Sequence, residues 1–269
     1  MPKLNQRIAI LGSRGIGLPI AEGITNSEIT ENKVIITRKN SSFSEKEKEQ
    51  FICYHDNNLA VKESDIIIVA VQPKQFNDLI KEIRNELTDK HILISIVSGV
   101  NISDIESLVG KNIAVIRTMP NTAIKVGQSM TCLAFNKLGE NFKSLVQTIF
   151  NSVGQTLLIE EAQFPEATVL CGSGPAFVFE FLNGYILACI QHGFNKEQAM
   201  QIASQVTKGA AEIIQKTKND PALEIKDVTT PGGCTIYALV EMQHAGLNSA
   251  LLKGIEIGIE KAKKLYSKT

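Results

Sequence analysis

Eight short runs rich in β-branched residues punctuate the chain up to about Glu160, and none follows it. They are RIAIL, KVIIT, FICY, DIIIVAV, HILISIV, NIAVIR, MTCLAF and TLLIE. Several are apolar at successive positions, which suits strands buried on both faces of a parallel sheet. Between them LPIAEGI, PKQFNDLIKEIRNEL and ENFKSLVQTIF read as helices, and SEKEKEQ at 44–50 reads as the solvated face of another. Parallel neighbours need crossover connections, so this alternation predicts an α/β fold with a doubly wound sheet.

Beyond Glu160 only helical signals remain. Pro175 opens an apolar helix running to His192, and Gly193 stops it. Asn195 and Gln198 form a capping box for a helix that continues to about Lys216. Two more helices follow, one after Thr235 and one from about Asn248 to Leu265. The chain therefore divides into an α/β domain, residues 1–160, and an all-α domain, residues 161–269. In the last helix Gly254, Gly258 and Ala262 recur every four residues, a small-residue stripe suited to close helix contact. That stripe is either an internal seam or part of a core shared with a second subunit in a homodimer or higher homo-oligomer.

Lys+Arg and Asp+Glu both number 28, and no basic cluster is interleaved with aromatics, so nucleic acid is not an expected partner. No apolar run reaches the ~18–20 residues of a membrane span. The opening MPKLNQRIAILGSRG has too short an apolar core for a secretion signal. Five separated cysteines with no CxxC pair, and four scattered histidines, point to a reduced, metal-free, cytoplasmic protein.

The first strand runs into Gly12, Ser13, Arg14, Gly15, Ile16 and Gly17 at the start of a helix. This strand–turn–helix setting lets glycine backbone approach a pyrophosphate while the helix N-terminus supplies N–H donors. It predicts a Rossmann-type dinucleotide site, with Arg14 standing where the G-x-G-x-x-G pattern has its second glycine. The second strand ends VIITRKNSS, where an NAD reader usually carries a carboxylate. Arg38 and Lys39 stand there instead and favour the 2′-phosphate of NADPH, with NADH possible. Ala70, Val71, Gln72 and Pro73 close the fourth strand and should flank the cofactor. RTMPNTA, with Asn121 in its turn, reads as the floor under the nicotinamide.

DVTTPGGCTIYAL sets a Pro-Gly-Gly turn before a helix-like run and reads as an anion-binding helix start. Pro231 sets the turn, and Gly232 and Gly233 let the backbone close around the anion. Thr229 or Thr230 is expected to cap the helix.

With the glycine loop, NNLAVKESDIIIVAVQP, SIVSGV, RTMPNTA, CGSGPAFVF and TTPGGCTIYAL in that order, the chain resembles the pyrroline-5-carboxylate reductases over nearly its full length. The last two motifs are the most specific. The resemblance implies an N-terminal Rossmann domain, a C-terminal helical domain that joins subunits, and reduction of a cyclic imine to proline. It carries a cofactor role to the glycine loop, Arg38, Lys39, Asn57 and the 70–73 turn. It carries substrate binding to Ser173, Gly174, Thr230, Gly232, Gly233 and Cys234, and catalysis to Thr235, whose hydroxyl would meet the ring nitrogen. Four positions depart from the family pattern: Arg14, Gln72, Ala123 in PNTA, and Glu224 in PALEIKDV. Two other functions fit the same scaffold: reduction of another cyclic imine, and a non-catalytic regulatory paralogue.

Overall fold

The computed structural model describes residues 3–110 and 112–266. One sheet of eight strands forms from β1 (Ile8–Leu11), β2 (Ile35–Thr37), β3 (Ile52–Tyr54), β4 (Ile66–Val69), β5 (Ile92–Ser95), β6 (Ala114–Met119), β7 (Ser129–Phe135) and β8 (Gly154–Leu158). Their order is β3-β2-β1-β4-β5-β6-β7-β8. Every neighbouring pair is parallel except β6 and β7. There the link is a short 3₁₀ turn, Thr122–Val126, in place of a crossover helix. A tight connection can only return the chain antiparallel.

Side chains alternate across the sheet into two apolar layers. Ile8, Ile10, Ile66, Ile68, Ile92 and Ile94 face α1 (Gly17–Asn26) and α6 (Lys143–Asn151) through Ile20, Ile24, Ile149 and Phe150. Ala9, Leu11, Ile67, Val69 and Leu93 face the other layer, built on α3 (Asn57–Lys62), α4 (Pro73–Ile83) and α5 (Ile102–Val109). Burial on both faces is why these strands carry no polar alternation. The acidic helix α2 (Glu45–Gln50) buries none of its residues, and Ser44 caps it in a capping box with Glu47.

The sheet's far edge hinges on one glycine. Gly154 has φ +153° and pairs with Ser129, and a Cβ there would collide with the Ser129 backbone. Gly154→Ala should therefore cost about 3 kcal/mol, a fall of roughly 6–12 °C in melting temperature. A melt within a degree of wild type would show that β7 and β8 separate at no cost.

The chain forms two compact units. One runs through Pro175 and takes up the chain again from Ile259; the other is Ala176–Gly258. In the first, the short helix α7 (Phe164–Ala167) and the end of α12 (Leu247–Tyr266) enclose Arg117 of β6, whose side chain is 1% exposed. Its guanidinium stacks 4.0 Å over Phe164 and 4.6 Å over Tyr266, and it donates to Asn101 and Glu161.

The second unit contains most of α8 (Gly174–Gln191), then α9 (Lys196–Thr217), α10 (Pro221–Asp227), α11 (Cys234–His244) and the start of α12. Asn195 caps α9 by accepting from Gln198 N, as the capping box predicts. Only Ala199 and Ala203 are buried in this unit, while Phe179, Tyr237, Leu252 and Ile257 are each more than 60% exposed. Among the described residues, and apart from its own helix backbone and chain neighbours, nothing lies within 4 Å of where a Cβ on Gly254 would stand. The small-residue stripe is thus no internal seam at Gly254. Among the described residues, one helical stretch, Glu161–Gln191, is long and apolar enough to cross a membrane by length and composition alone. It escapes a search for apolar runs because Glu and Gly residues interrupt it, yet α8 is apolar around much of its circumference.

Candidate active site

A cleft of about 640 Å³ opens beyond the carboxyl ends of β1, β2, β4 and β5, where the sheet order reverses between β1 and β4. Such a switch point leaves room for a ligand because neighbouring crossovers leave in opposite directions. Its walls bring together Gly12, Ser13, Arg14, Gly15 and Ile16, the pair Arg38 and Lys39, Asn57, and the turn Ala70, Val71, Gln72 and Pro73. Gly17 is not on the wall. It packs beneath, where a Cβ would meet Gly12 O at 2.5 Å. Gly12 has φ +95° and lies against Ala70 and Val71, so both glycines are required for the loop to fold this tightly. Gly15, with φ +63°, has open space above it, as backbone meant for close approach to a dinucleotide needs.

A hydrogen-bonded chain runs under the cleft. Gly12 N–H donates to Thr37 Oγ1 (3.3 Å), the Thr37 hydroxyl to Asn57 Oδ1 (2.7 Å), and Asn57 Nδ2 to Glu82 Oε1 (3.2 Å). Lys39 Nζ reaches the other oxygen of Glu82 at 3.2 Å. Thr37, Ser41, Glu82 and Ser98 also line the cleft, and the sequence reading singled out none of them. Thr37 and Ser41 lie within VIITRKNSS and could have been found there; Glu82 comes from the last turn of α4, and only the fold brings it in.

Arg38 lies on the wall but turns its charge inward. Its Nε donates to Ser13 Oγ (3.0 Å) and one terminal nitrogen to Ser13 O (3.1 Å), and the fork closes on the Glu47 carboxylate. The guanidinium also lies 5.1 Å from the Phe43 ring centre. Burial works against the charge on Glu47, but the Arg38 bond and those from the Ser44 N–H and hydroxyl outweigh it and hold the carboxyl below its usual range. Arg14 is exposed, and its Nε donates to Ser41 Oγ at 3.2 Å.

Asn121 is absent from the cleft wall. It is buried, accepts from Ala123 N (2.9 Å) and donates to Cys171 O (3.0 Å), tying the RTMPN turn to the segment before Ser173. That segment, Thr168–Gly172, is a single π-helical turn, a distortion frequent at functional sites. Met119 links it to the cleft. Ser98 Oγ on the wall lies 4.0 Å from Met119 Sδ, and a Cβ on Gly172 would sit 3.3 Å from that sulfur. Ser173 closes the turn through its N–H and hydroxyl to Thr168 O. Gly174 begins α8 with nothing within 4 Å of a Cβ position.

All five cysteines are free thiols, yet Cys132 and Cys171 lie with their sulfurs 3.3 Å apart. The bond from Cys132 lowers the Cys171 thiol to about 7 against the effect of burial. Cys132 itself is held above the usual thiol range by that bond and by burial. Among the described residues no group of three His, Cys, Asp or Glu could hold a metal.

In the other unit, Thr230, Gly232, Gly233, Cys234 and Thr235 form one loop. Gly233 N–H donates to Thr230 O (3.0 Å), and Gly232 takes φ +71°. Neither threonine caps α11, which corrects the expectation for Thr229 or Thr230. The N-cap is Gly233, with no side-chain bond, and the Thr229 hydroxyl turns back to Ile225 O at the end of α10. The reason is local: α10 runs to Asp227, held by its Asp220 cap, and carries Thr229 into its own last turn. Glu224 accepts from Thr217 and Asn219 and fixes α10 to the end of α9. Among the described residues the first amides of α11 have no side-chain partner, as anion binding at a helix start requires. Thr235 is half-buried in that first turn, and among the described residues no hydrogen bond engages its hydroxyl.

Comparison with known proteins agrees in both halves. Residues 161–265 match the family described as pyrroline-5-carboxylate reductase dimerisation, and residues 7–99 match that described as NADP oxidoreductase, coenzyme F420-dependent. Pyrroline-5-carboxylate reductase 1 of Dictyostelium discoideum is 38% identical over 97% of this chain, which spans 50% of that longer relative. Pyrroline-5-carboxylate reductase 2 of the same organism is 37% identical, covering 97% of this chain and 94% of the relative. A Plasmodium falciparum pyrroline carboxylate reductase, solved with NADP bound, superposes with a TM-score of 0.88 at 26% identity, over 98% of this chain and 99% of that one.

Proposed function

Because the chain belongs to the pyrroline-5-carboxylate reductase family, we propose that it reduces the C=N bond of pyrroline-5-carboxylate to give proline, using NADPH. The observation that carries this is the glycine-lined cleft at the sheet's switch point, occurring in one chain with a helix start whose amides are uncapped and whose first turn bears a free hydroxyl. The cleft fits a dinucleotide, since Gly15 leaves its backbone open and the Ala70 to Pro73 turn lines the same cleft. When bound there, the nicotinamide supplies the hydride for the imine carbon.

The chain's own residues supply orientation and proton handling. The first amides of α11, at Cys234 and Thr235, take the substrate carboxylate, aided by the positive end of the α11 dipole, while Gly232 and Gly233 shape the turn beneath it, the Gly233 N–H being held by Thr230 O. The Thr235 hydroxyl meets the ring nitrogen as hydrogen-bond partner or proton relay. Ser173 and Gly174 are further substrate-binding residues on this reading, and the π turn fixes Ser173. Asn121 holds that turn in place through Cys171 O.

Assembly belongs to the same reading. The helical unit buries only two alanines, and helices of its length are stabilised mainly by packing, so its apolar faces need a second copy. That cover also accounts for the apolarity of α8 in a cytoplasmic protein whose partners are a small molecule and itself, with neither nucleic acid nor membrane. We retain residues 1–160 and 161–269 as its functional domains. A panel of cyclic imines and 2-keto acids, each followed by NADPH and then NADH consumption, tests the reading. Pyrroline-5-carboxylate should be the best substrate. Preference for another cyclic imine would move the specificity, and cofactor binding without turnover of any imine would favour the regulatory alternative.

A further inference from the structure

Three cationic side chains surround the end of β2, and they are differently employed. Arg38 is committed to the protein: Ser13 Oγ, Ser13 O, Ser42 O and Glu47 take its donors, and its side chain is 12% exposed. Its charge is cancelled in place by Glu47. Lys39 is 71% exposed and shares Glu82 at 3.2 Å. Arg14 is exposed and makes one hydrogen bond, from Nε to Ser41 Oγ, which leaves its terminal nitrogens without an acceptor among the described residues.

The backbone explains why an arginine is tolerated at this position of the loop. Positive φ occurs at Gly12 and Gly15, not at residue 14. Arg14 thus adopts a conformation open to any L-residue, and the loop's tight geometry does not depend on glycine there. Its side chain leaves the loop sideways toward Ser41 on the β2–α2 turn, so Gly15 keeps its open face. A guanidinium over that turn stands where a dinucleotide places the adenosine ribose, and its planar fork suits a phosphate.

On the premise that the cleft takes a nicotinamide dinucleotide, we infer that Arg14, steered by Ser41 and assisted by Lys39, selects cofactors phosphorylated at the 2′ position, and that Arg38 is a structural arginine holding the Ser13 loop. This reverses the ranking that sequence position alone gives to the three cations. It also assigns a function to the departure at residue 14, which then recognises the 2′-phosphate and not the pyrophosphate.

Binding separates the possibilities without recourse to turnover. Dissociation constants are measured for NADPH and NADH by nicotinamide fluorescence, and for 2′,5′-ADP and 5′-AMP by calorimetry. Arg14→Ala should weaken NADPH and 2′,5′-ADP about ten- to hundredfold, while NADH and 5′-AMP change by less than about twofold. Ser41→Ala should shift the same pair in the same direction by less. Arg38→Ala should lower the melting temperature and weaken all four ligands by a common factor. Losses from Arg14→Ala that are equal for NADPH and NADH would overturn the inference. So would selective loss of the 2′-phosphorylated ligands from Arg38→Ala alone, or a wild type that does not distinguish the two cofactors. A wild type that binds neither cofactor would instead remove the reductase reading on which the inference rests.

Discussion

Thr235→Ala should cut turnover of pyrroline-5-carboxylate by ~10²–10⁴-fold while leaving stability within about 1 kcal/mol of wild type, because it removes a positioned hydroxyl and no cap. Gly233 caps α11 through its backbone position, and no hydrogen bond within the described residues depends on the Thr235 hydroxyl. Its loss therefore leaves the free protein nearly unchanged. In the complex it leaves the ring nitrogen without its partner as the proton arrives. NADPH affinity should stay at the wild-type value. Thr229→Ala is the matched control, since that hydroxyl is spent on the Ile225 carbonyl. It should lose some stability and keep its turnover. Full turnover in Thr235→Ala would remove the catalytic role from this loop, and a stability loss equal to that of Thr229→Ala would make Thr235 a structural residue.

Gly254→Leu should abolish assembly. Among the described residues nothing outside its own helix approaches the position, and glycine in a helix interior costs about 1 kcal/mol relative to good helix formers. In a monomeric protein the substitution would be neutral or stabilising. If a second copy packs its backbone against this stripe, the leucine intrudes once per protomer, at roughly 1–3 kcal/mol each time. Sedimentation should then show wild-type oligomers and, for the variant, monomers or aggregates formed through exposed Leu252 and Ile257. An unchanged oligomer with a raised melting temperature would place Gly254 in solvent, and a monomeric wild type would contradict the shared core altogether.

The parts of this fold legible in the sequence are those fixed by local chemistry. All eight strands were visible as runs rich in β-branched residues, several of them continuously apolar because both faces of the central sheet are covered, and the Asn195–Gln198 box marks the start of α9 because capping uses nearby residues. Apart from α2, which showed through its charged run, the short helices were not legible. α3, α5 and α10 have six, eight and seven residues, too few turns for a periodic pattern to stand out. The reversal at β7 was equally hidden, since an antiparallel strand covered on both faces reads like a parallel one.

Within the candidate site, backbone-determined residues were easier to read than side-chain assignments. The glycine loop, Asn57 and the 70–73 turn meet in one cleft, as strand ends in a wound sheet must. What each cation does was not legible: Arg38 and Glu47 are nine residues apart, and the acidic helix carrying Glu47 reads only as solvated. Thr229 and Thr230 misled for a related reason. Their proximity to a helix start suggests capping, but α10, which the sequence did not reveal, runs to Asp227 and its Ile225 carbonyl claims the Thr229 hydroxyl. Whether the small-residue stripe and apolar faces of the helical unit form an internal seam or a core shared with a second copy stayed open in the sequence, because a sequence does not distinguish a face covered by its own chain from one covered by another.

The most direct measurement of the central claim is isotopic. Purified protein is given pyrroline-5-carboxylate and NADPH carrying deuterium at both nicotinamide C4 positions, and the product is analysed by mass spectrometry. Proline one mass unit heavier, with the label on the ring carbon of the former C=N bond, is the predicted result. Unlabelled proline, or consumption of NADPH without proline, would contradict it.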